Sequence, residues 1–146
     1  MSVSSLPVDA AEARTAAHDP DCIFCKIAAG RIPSRKVYED DELYAFHDIA
    51  PWAPVHILVI PRRHIVSLAH VGPDDAALLG RMVALAPVLA QQAGCRPYPE
   101  GGFRVQFNTG GDGGQEVHHL HMHVVGGARP WLCLLYTSDA ADDSLR

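Results

Sequence analysis

Basic residues are scarce in this chain of 146 residues, which sets 12 Lys and Arg against 17 Asp and Glu for a formal net charge of -5. That balance excludes a protein that works by coating nucleic acid or an acidic membrane, so an anionic partner has to be held by a local site. Long apolar runs are missing as well: nothing approaches the roughly 20 residues of a membrane helix. Residues 1–7 lack both a basic start and an apolar stretch, which excludes a secretory signal there. There is no internal repeat. The four cysteines are too few and too unevenly spread for a disulfide scaffold, and the cytoplasm is the expected compartment. What remains is an ordinary hydrophobic share of 48%, enough for one full core in one domain.

Residues 1–20 are polar, Ala-rich and aperiodic and are expected to be a disordered leader. Residues 21–30 then read as a short helix, capped by Asp21, stopped by Gly30, and apolar along Ile23, Phe24 and Ile27. Strands are predicted at 36–39 and 42–47 around the turn Asp40-Asp41, followed by the proline-punctuated loop 48–54. The compact apolar run 56–61 reads as a central strand. After Gly72-Pro73-Asp74-Asp75, the spacing of Leu78, Met82, Leu85 and Leu89 predicts a long helix, kinked at Pro87 and ended by Gly94. Strands at 103–108 and 118–125 flank a glycine loop at 110–114. This layout predicts an α+β domain built on one mostly antiparallel sheet.

The end of the chain breaks that pattern. Residues 133–142 match the translation of a transposase adapter used in DNA-library preparation, so 132–146 is expected to be adapter-derived rather than native. The domain is accordingly placed at 21–131, and no function is assigned beyond Trp131, Cys133 included.

The chemistry concentrates in His119-Leu120-His121-Met122-His123. Strand alternation would put His119, His121 and His123 on one face, with Leu120, Met122 and Val124 on the other. Three imidazoles on one face suit a metal site, a proton relay or a nucleophile with helpers. The glycines before them allow close backbone approach and an anion nest. Cys22 and Cys25 form a C-x-x-C, which fits either metal or thiol redox chemistry. The thioredoxin-like β-α-β setting expected of a redox pair is not evident.

The run His119-Leu120-His121-Met122-His123-Val124-Val125 strongly resembles the signature of the histidine-triad family. Gly113-Gly114-Gln115 before it and Gly126-Gly127 after it look like the family's Hint branch. The resemblance covers 22–127. It implies a mostly antiparallel five-stranded sheet with one short and one long helix, extended by homodimerisation across the long helix and a strand. It also implies that His121 attacks the α-phosphorus of a nucleotide, that His123 contacts the phosphoryl oxygens, and that His56 orients the nucleophile and its surroundings. Asp48 would take the ribose hydroxyls, while Ile23, Phe24, Ile27, Ile32 and Phe46 would form a purine pocket. Asn108, Gly114, Gln115 and Glu116 would lie along the phosphate and leaving group. Glu116 stands where many eukaryotic members carry Ser, and His118 is given no catalytic role.

Some bacterial members of this family place a C-x-x-C near two histidines, which here are His64 and His119. By that resemblance Cys22, Cys25, His64 and His119 would close a tetrahedral structural zinc site, tying the first helix to the sheet. In metal-free relatives the same two histidines belong to a hydrogen-bonded relay. Three functions follow from the resemblance. The first is cleavage of purine nucleoside 5′-phosphoramidates through a nucleotidyl-histidine. The second is hydrolysis of dinucleoside polyphosphates or nucleotidyl transfer, and the third is nucleotide binding with incidental catalysis. The glycine pair after the triad favours the first over the dinucleoside branch, and an intact His121 disfavours the adaptor.

Overall fold

A computed structural model describes residues 18–127. The adapter-like tail, Trp131 and most of the expected leader lie outside the described residues. The sheet holds five strands: β1 (Lys36–Glu39), β2 (Leu43–His47), β3 (Val55–Pro61), β4 (Phe103–Phe107) and β5 (Met122–Gly126). Their spatial order is β1-β2-β3-β5-β4, and every neighbouring pair is antiparallel. Helix α1 (Ile23–Ala28) packs on one face, and the long helix α2 (Ala76–Gln92) on the other.

Alternation along the strands divides the core in two. Val55, Ile57 and Val59 of β3 join Met122 and Val124 of β5 under Met82, Ala86 and Leu89 of α2. Leu58 and Ile60 face the other way, with Tyr44, Phe46 and α1. As expected of a central strand, β3 is buried along its whole length. The β1–β2 turn is fixed by Asp40, whose Oδ1 accepts from the amides of Glu42 and Leu43 at 2.8 Å each.

The α1 cap and the start of the last strand differ from the sequence reading. Helix α1 is capped by Cys22, whose Sγ accepts from the Cys25 amide at 3.3 Å. Asp21 is instead drawn into the preceding turn, its amide donating to Asp19 Oδ1 at 2.9 Å. Helix α2 does start after Asp75, as the sequence reading has it, preceded by a 3-10 turn at Pro73–Asp75 and running through Pro87 to Gln92. The last strand starts at Met122, so His119 and His121 precede it. The physical cause is that backbone groups a ladder would need are taken by a side chain and by a neighbouring loop. His119 Nε2–H takes the carbonyl of Pro61 at 2.8 Å, and the Leu120 amide goes to Ile65 O at 2.6 Å.

Gly126 and Gly127 pack where no side chain fits. A Cβ on Gly126 would lie 2.5 Å from Cys95 Sγ, and one on Gly127 2.9 Å from Pro54 Cβ. The glycine pair therefore lets β5 end against two neighbouring segments at once.

Candidate active site

Although His119 and His121 lie outside the strand, the histidine segment still alternates. Leu120, Met122 and Val124 enter the core under α2, while His119, His121 and His123 are buried on the α1 side. Phe24 of α1 meets the rings of His119 and His121 edge-on, at centroid distances of 5.9 and 5.2 Å.

The backbone sets the proton on each ring. A carbonyl can only accept, so His121 Nδ1 carries the hydrogen it donates to His119 O at 2.7 Å. Its Nε2 is left with the lone pair. By the same reasoning His119 Nε2–H donates to Pro61 O, freeing Nδ1. The Trp52 amide donates to His56 Nδ1 at 3.0 Å, so Nε2 of His56 carries the proton. That Nε2–H donates to His123 Nδ1 at 2.9 Å, which leaves His123 with a hydrogen on Nε2. One ring thus offers a lone pair and its neighbour a donor. Their centroids lie 5.0 Å apart.

A cavity of about 460 Å³ opens onto this pair. His121 and His123 line it, together with Ile23, Phe24, Ile27, Phe46, Asp48, Asn108, Gly114 and Glu116. Burial depresses the basicity of both histidines. It pulls His123 down to about 3, helped by the neighbouring His121 and His56. His121 is lowered by burial too, against the opposing pull of its bond to His119 O and of the Asp48 and Glu116 carboxylates. Both are neutral at pH 7.

Some predicted site residues stand elsewhere. Ile32 packs beside the α1 core and is not among the cavity's lining residues. His56 is buried behind His123 and acts on it rather than on the cavity. Gln115 braces the glycine loop: its Oε1 accepts from the Gly110 amide, and its Nε2 donates to Val66 O and Val117 O. The amides of Gly113, Gly114 and Gln115 bond back to Gly110 and Gly111 carbonyls, which closes the loop on itself. A Cβ on Gly113 would stand 2.2 Å from Thr109 O, so the loop needs glycine there to close.

Conversely, Trp52, Ile49, Ala50, Leu58 and Val117 line the cavity without having been singled out. Trp52 had one signal in the sequence, a large aromatic in a short proline-bounded loop four residues after Asp48.

A second cluster lies beneath the first. Sγ of Cys22 and Cys25 and Nδ1 of His64 and His119 all fall within 4.8 Å of one another, and all four residues are buried. His64 Nδ1 and His119 Nδ1 are 3.3 Å apart, and Cys22 Sγ is 3.2 Å from His119 Nδ1. Burial raises the Cys25 thiol to about 11, and it lowers His119 to about 4. Two soft sulfurs and two imidazole lone pairs turned to one point form a donor set that could hold a metal ion.

Asp48, His56 and His123 are also close enough to share an ion. Their protons argue against it, because His56 Nε2 already holds the hydrogen that the Trp52 amide forces upon it.

Comparison with known proteins agrees with this geometry. Residues 21–134 match the family model described as scavenger mRNA decapping enzyme C-term binding. Protein HitA of Neisseria gonorrhoeae is 50% identical over 106 residues, covering 73% of this chain and 95% of HitA. A histidine triad protein from Clostridium difficile superposes with a TM-score of 0.71 at 46% identity, covering 77% of this chain and 95% of that one. The chain belongs to the histidine-triad family. Its histidine-triad fold is that of a HIT family hydrolase from Legionella pneumophila, matched at a TM-score of 0.70 and 45% identity over 75% of this chain and 95% of the other. The purine nucleoside phosphoramidase of Escherichia coli K12 is 46% identical over 107 residues, 73% of this chain and 87% of its own. This histidine-triad protein is a hydrolase.

Proposed function

We propose that the enzyme cleaves purine nucleoside 5′-phosphoramidates to the nucleoside monophosphate and a free amine. The observation that carries this is the paired tautomers of His121 and His123 at the cavity wall. His121 Nε2 attacks the α-phosphorus, and the P–N bond to the amine breaks as the amine takes up a proton from solvent. Water then adds its oxygen to phosphorus and returns a proton to solvent, the bond to His121 breaks, and the monophosphate leaves. Splitting the displacement in two lowers each barrier. His123 Nε2–H donates to the phosphoryl oxygens as their charge builds.

Asp48 would take the ribose hydroxyls, and Ile23, Phe24, Ile27 and Phe46 the purine. The name of the Escherichia coli relative supports the phosphoramidate class. So does the charge of the site. Among the described residues the cavity has two carboxylates, Asp48 and Glu116, and neither Lys nor Arg. That lining opposes a polyphosphate leaving group and accommodates an amine.

In the second cluster the ion would be zinc. With bonds of about 2.3 Å to sulfur and about 2.0 Å to nitrogen, a zinc tetrahedron has N···N edges near 3.3 Å and N···S edges near 3.5 Å. The His64–His119 separation of 3.3 Å and Cys25 Sγ–His64 separation of 3.5 Å fit those edges. Zinc there would fix α1 against the sheet, with no part in the displacement. We further propose a homodimer across α2 and the edge strand β4, where Val83, Val88 and Phe103 are exposed.

The test compares wild type with His121→Ala and His121→Gly on an aminoacyl-adenosine phosphoramidate and on a dinucleoside polyphosphate. Phosphoramidate turnover by wild type alone is expected. Equal turnover by the variants would end the nucleophile reading, and preference for the polyphosphate would reverse the substrate assignment.

A further inference from the structure

The indole of Trp52 lies flat against His123, with ring centroids 4.6 Å apart and planes inclined by 17°. It also covers His56, at 4.5 Å and 44°. Its backbone amide donates to His56 Nδ1 at 3.0 Å, and His56 passes that constraint to His123 at 2.9 Å. A single residue therefore touches the histidine pair twice, once through the main chain and once through the side chain. Yet Trp52 is 53% exposed, in a short loop where an aromatic ring gains little from burial. Packing of the core does not account for it.

We propose that Trp52 is a positioning residue for His123: its amide selects the tautomer that presents Nε2–H to the cavity, and its indole holds that ring in place. The amide acts first. With His56 Nδ1 committed as an acceptor, His56 Nε2–H is the donor and His123 Nδ1 must accept. Without that amide, only the more distant Asp48 carboxylate, 3.5 Å from His56 Nε2, favours this arrangement, and the donor facing the cavity is lost for part of the time. The indole acts second. Stacking on a neutral imidazole restricts its swing about Cβ and keeps water from the buried side of the pair. The part played in turnover rests on the role given to His123 above; the tautomer assignment does not.

The tautomers are read directly from nitrogen-15 NMR of the full chain labelled at histidine. The expected spectrum shows His123 protonated at Nε2 and bare at Nδ1. Trp52→Phe keeps the amide and a ring, and should stay within about twofold of wild type in kcat. Trp52→Ala keeps the amide alone; the tautomer persists while kcat falls on the order of tenfold at little-changed KM. Trp52→Pro also removes the N–H, and the His123 signals should then move toward a tautomer average. In a His123→Asn background, Trp52→Ala should cost nothing further, because its effect runs through the missing ring. A His123 protonated at Nδ1 in the wild type, an unchanged kcat in Trp52→Ala, or additive losses in the double variant would each overturn the proposal. Wild-type turnover by His123→Asn alone would instead overturn the functional reading.

Discussion

His119 and His121 are joined by a hydrogen bond of 2.7 Å in which the backbone of the first fixes the ring of the second. The ring of His119 meanwhile turns away, into the cysteine cluster. One residue thus serves two sites with different atoms: its imidazole belongs to the metal-type cluster and its carbonyl to the catalytic pair. Loss of the imidazole need not remove the carbonyl, and this separation makes the two sites testable apart.

Substituting His121 by glycine should lower phosphoramidate turnover by about 10³-fold or more, as removal of a covalent nucleophile does. Stability should change little by comparison. Rapid quenching of wild type with labelled substrate is expected to trap phosphorus on His121, and no adduct should form in the variant.

Metal content offers an independent check. Untagged protein should carry close to one equivalent of zinc per chain by elemental analysis, and Cys22→Ser should lose most of it. Because Ser can accept from the Cys25 amide as the Cys22 sulfur does, the variant should keep the cap of α1, and its unfolding should fall below that of the zinc-loaded wild type but match the wild type once a chelator is present. Less than a tenth of an equivalent in the wild type would reject the site.

Leaving-group charge should register at Glu116. Among adenosine phosphoramidates of matched length, the enzyme should prefer a cationic amine to an anionic one by on the order of threefold to fivefold, the strength of an exposed ion pair. Glu116→Gln should erase most of that preference, and raised salt should erode it in the wild type. An unchanged ratio in Glu116→Gln would remove the carboxylate from the leaving-group path.

Acid should unfold the protein in two windows. Burial holds His123 at about 3, below its ordinary 6.5, so the unfolded state takes up the proton first. Its contribution is full above about pH 6.5 and is lost as pH falls toward 3. Asp40 is pushed up by burial but pulled down further by Tyr38, the amides of Glu42 and Leu43, and Arg81, to about 2 from 3.8. Its contribution is present above about pH 4 and lost as pH falls through 2. Denaturant titrations across pH should show the first loss reduced in His123→Asn, with His119, held at about 4 by burial, still contributing to it, and the second reduced in Asp40→Asn. The latter should cost on the order of 1 kcal/mol at pH 7.

The strands were legible because their patterns are local: β3 reads as an unbroken apolar run, and Gly30 and Gly94 mark helix ends with positive φ of 81° and 105°. Alternation also put the three histidines on one side, even though two of them precede the strand. What misled was competition for backbone groups from distant side chains. No spacing announces that His119 will claim Pro61 O, or that Gln115 will spend its amide on Val66 and Val117.

For the histidine segment, the sequence alone determined which residues share a face and that cysteine and imidazole donors were present. Division of labour among them was decided by the tertiary structure. A histidine becomes nucleophile, donor or ligand according to which nitrogen keeps its hydrogen, and that depends on a partner supplied from elsewhere. Here the partners are the carbonyls of His119 and Pro61 and the amide of Trp52. The Pro61 carbonyl reaches His119, and the His56 ring that Trp52 orients reaches His123, only once the fold has brought separate segments together.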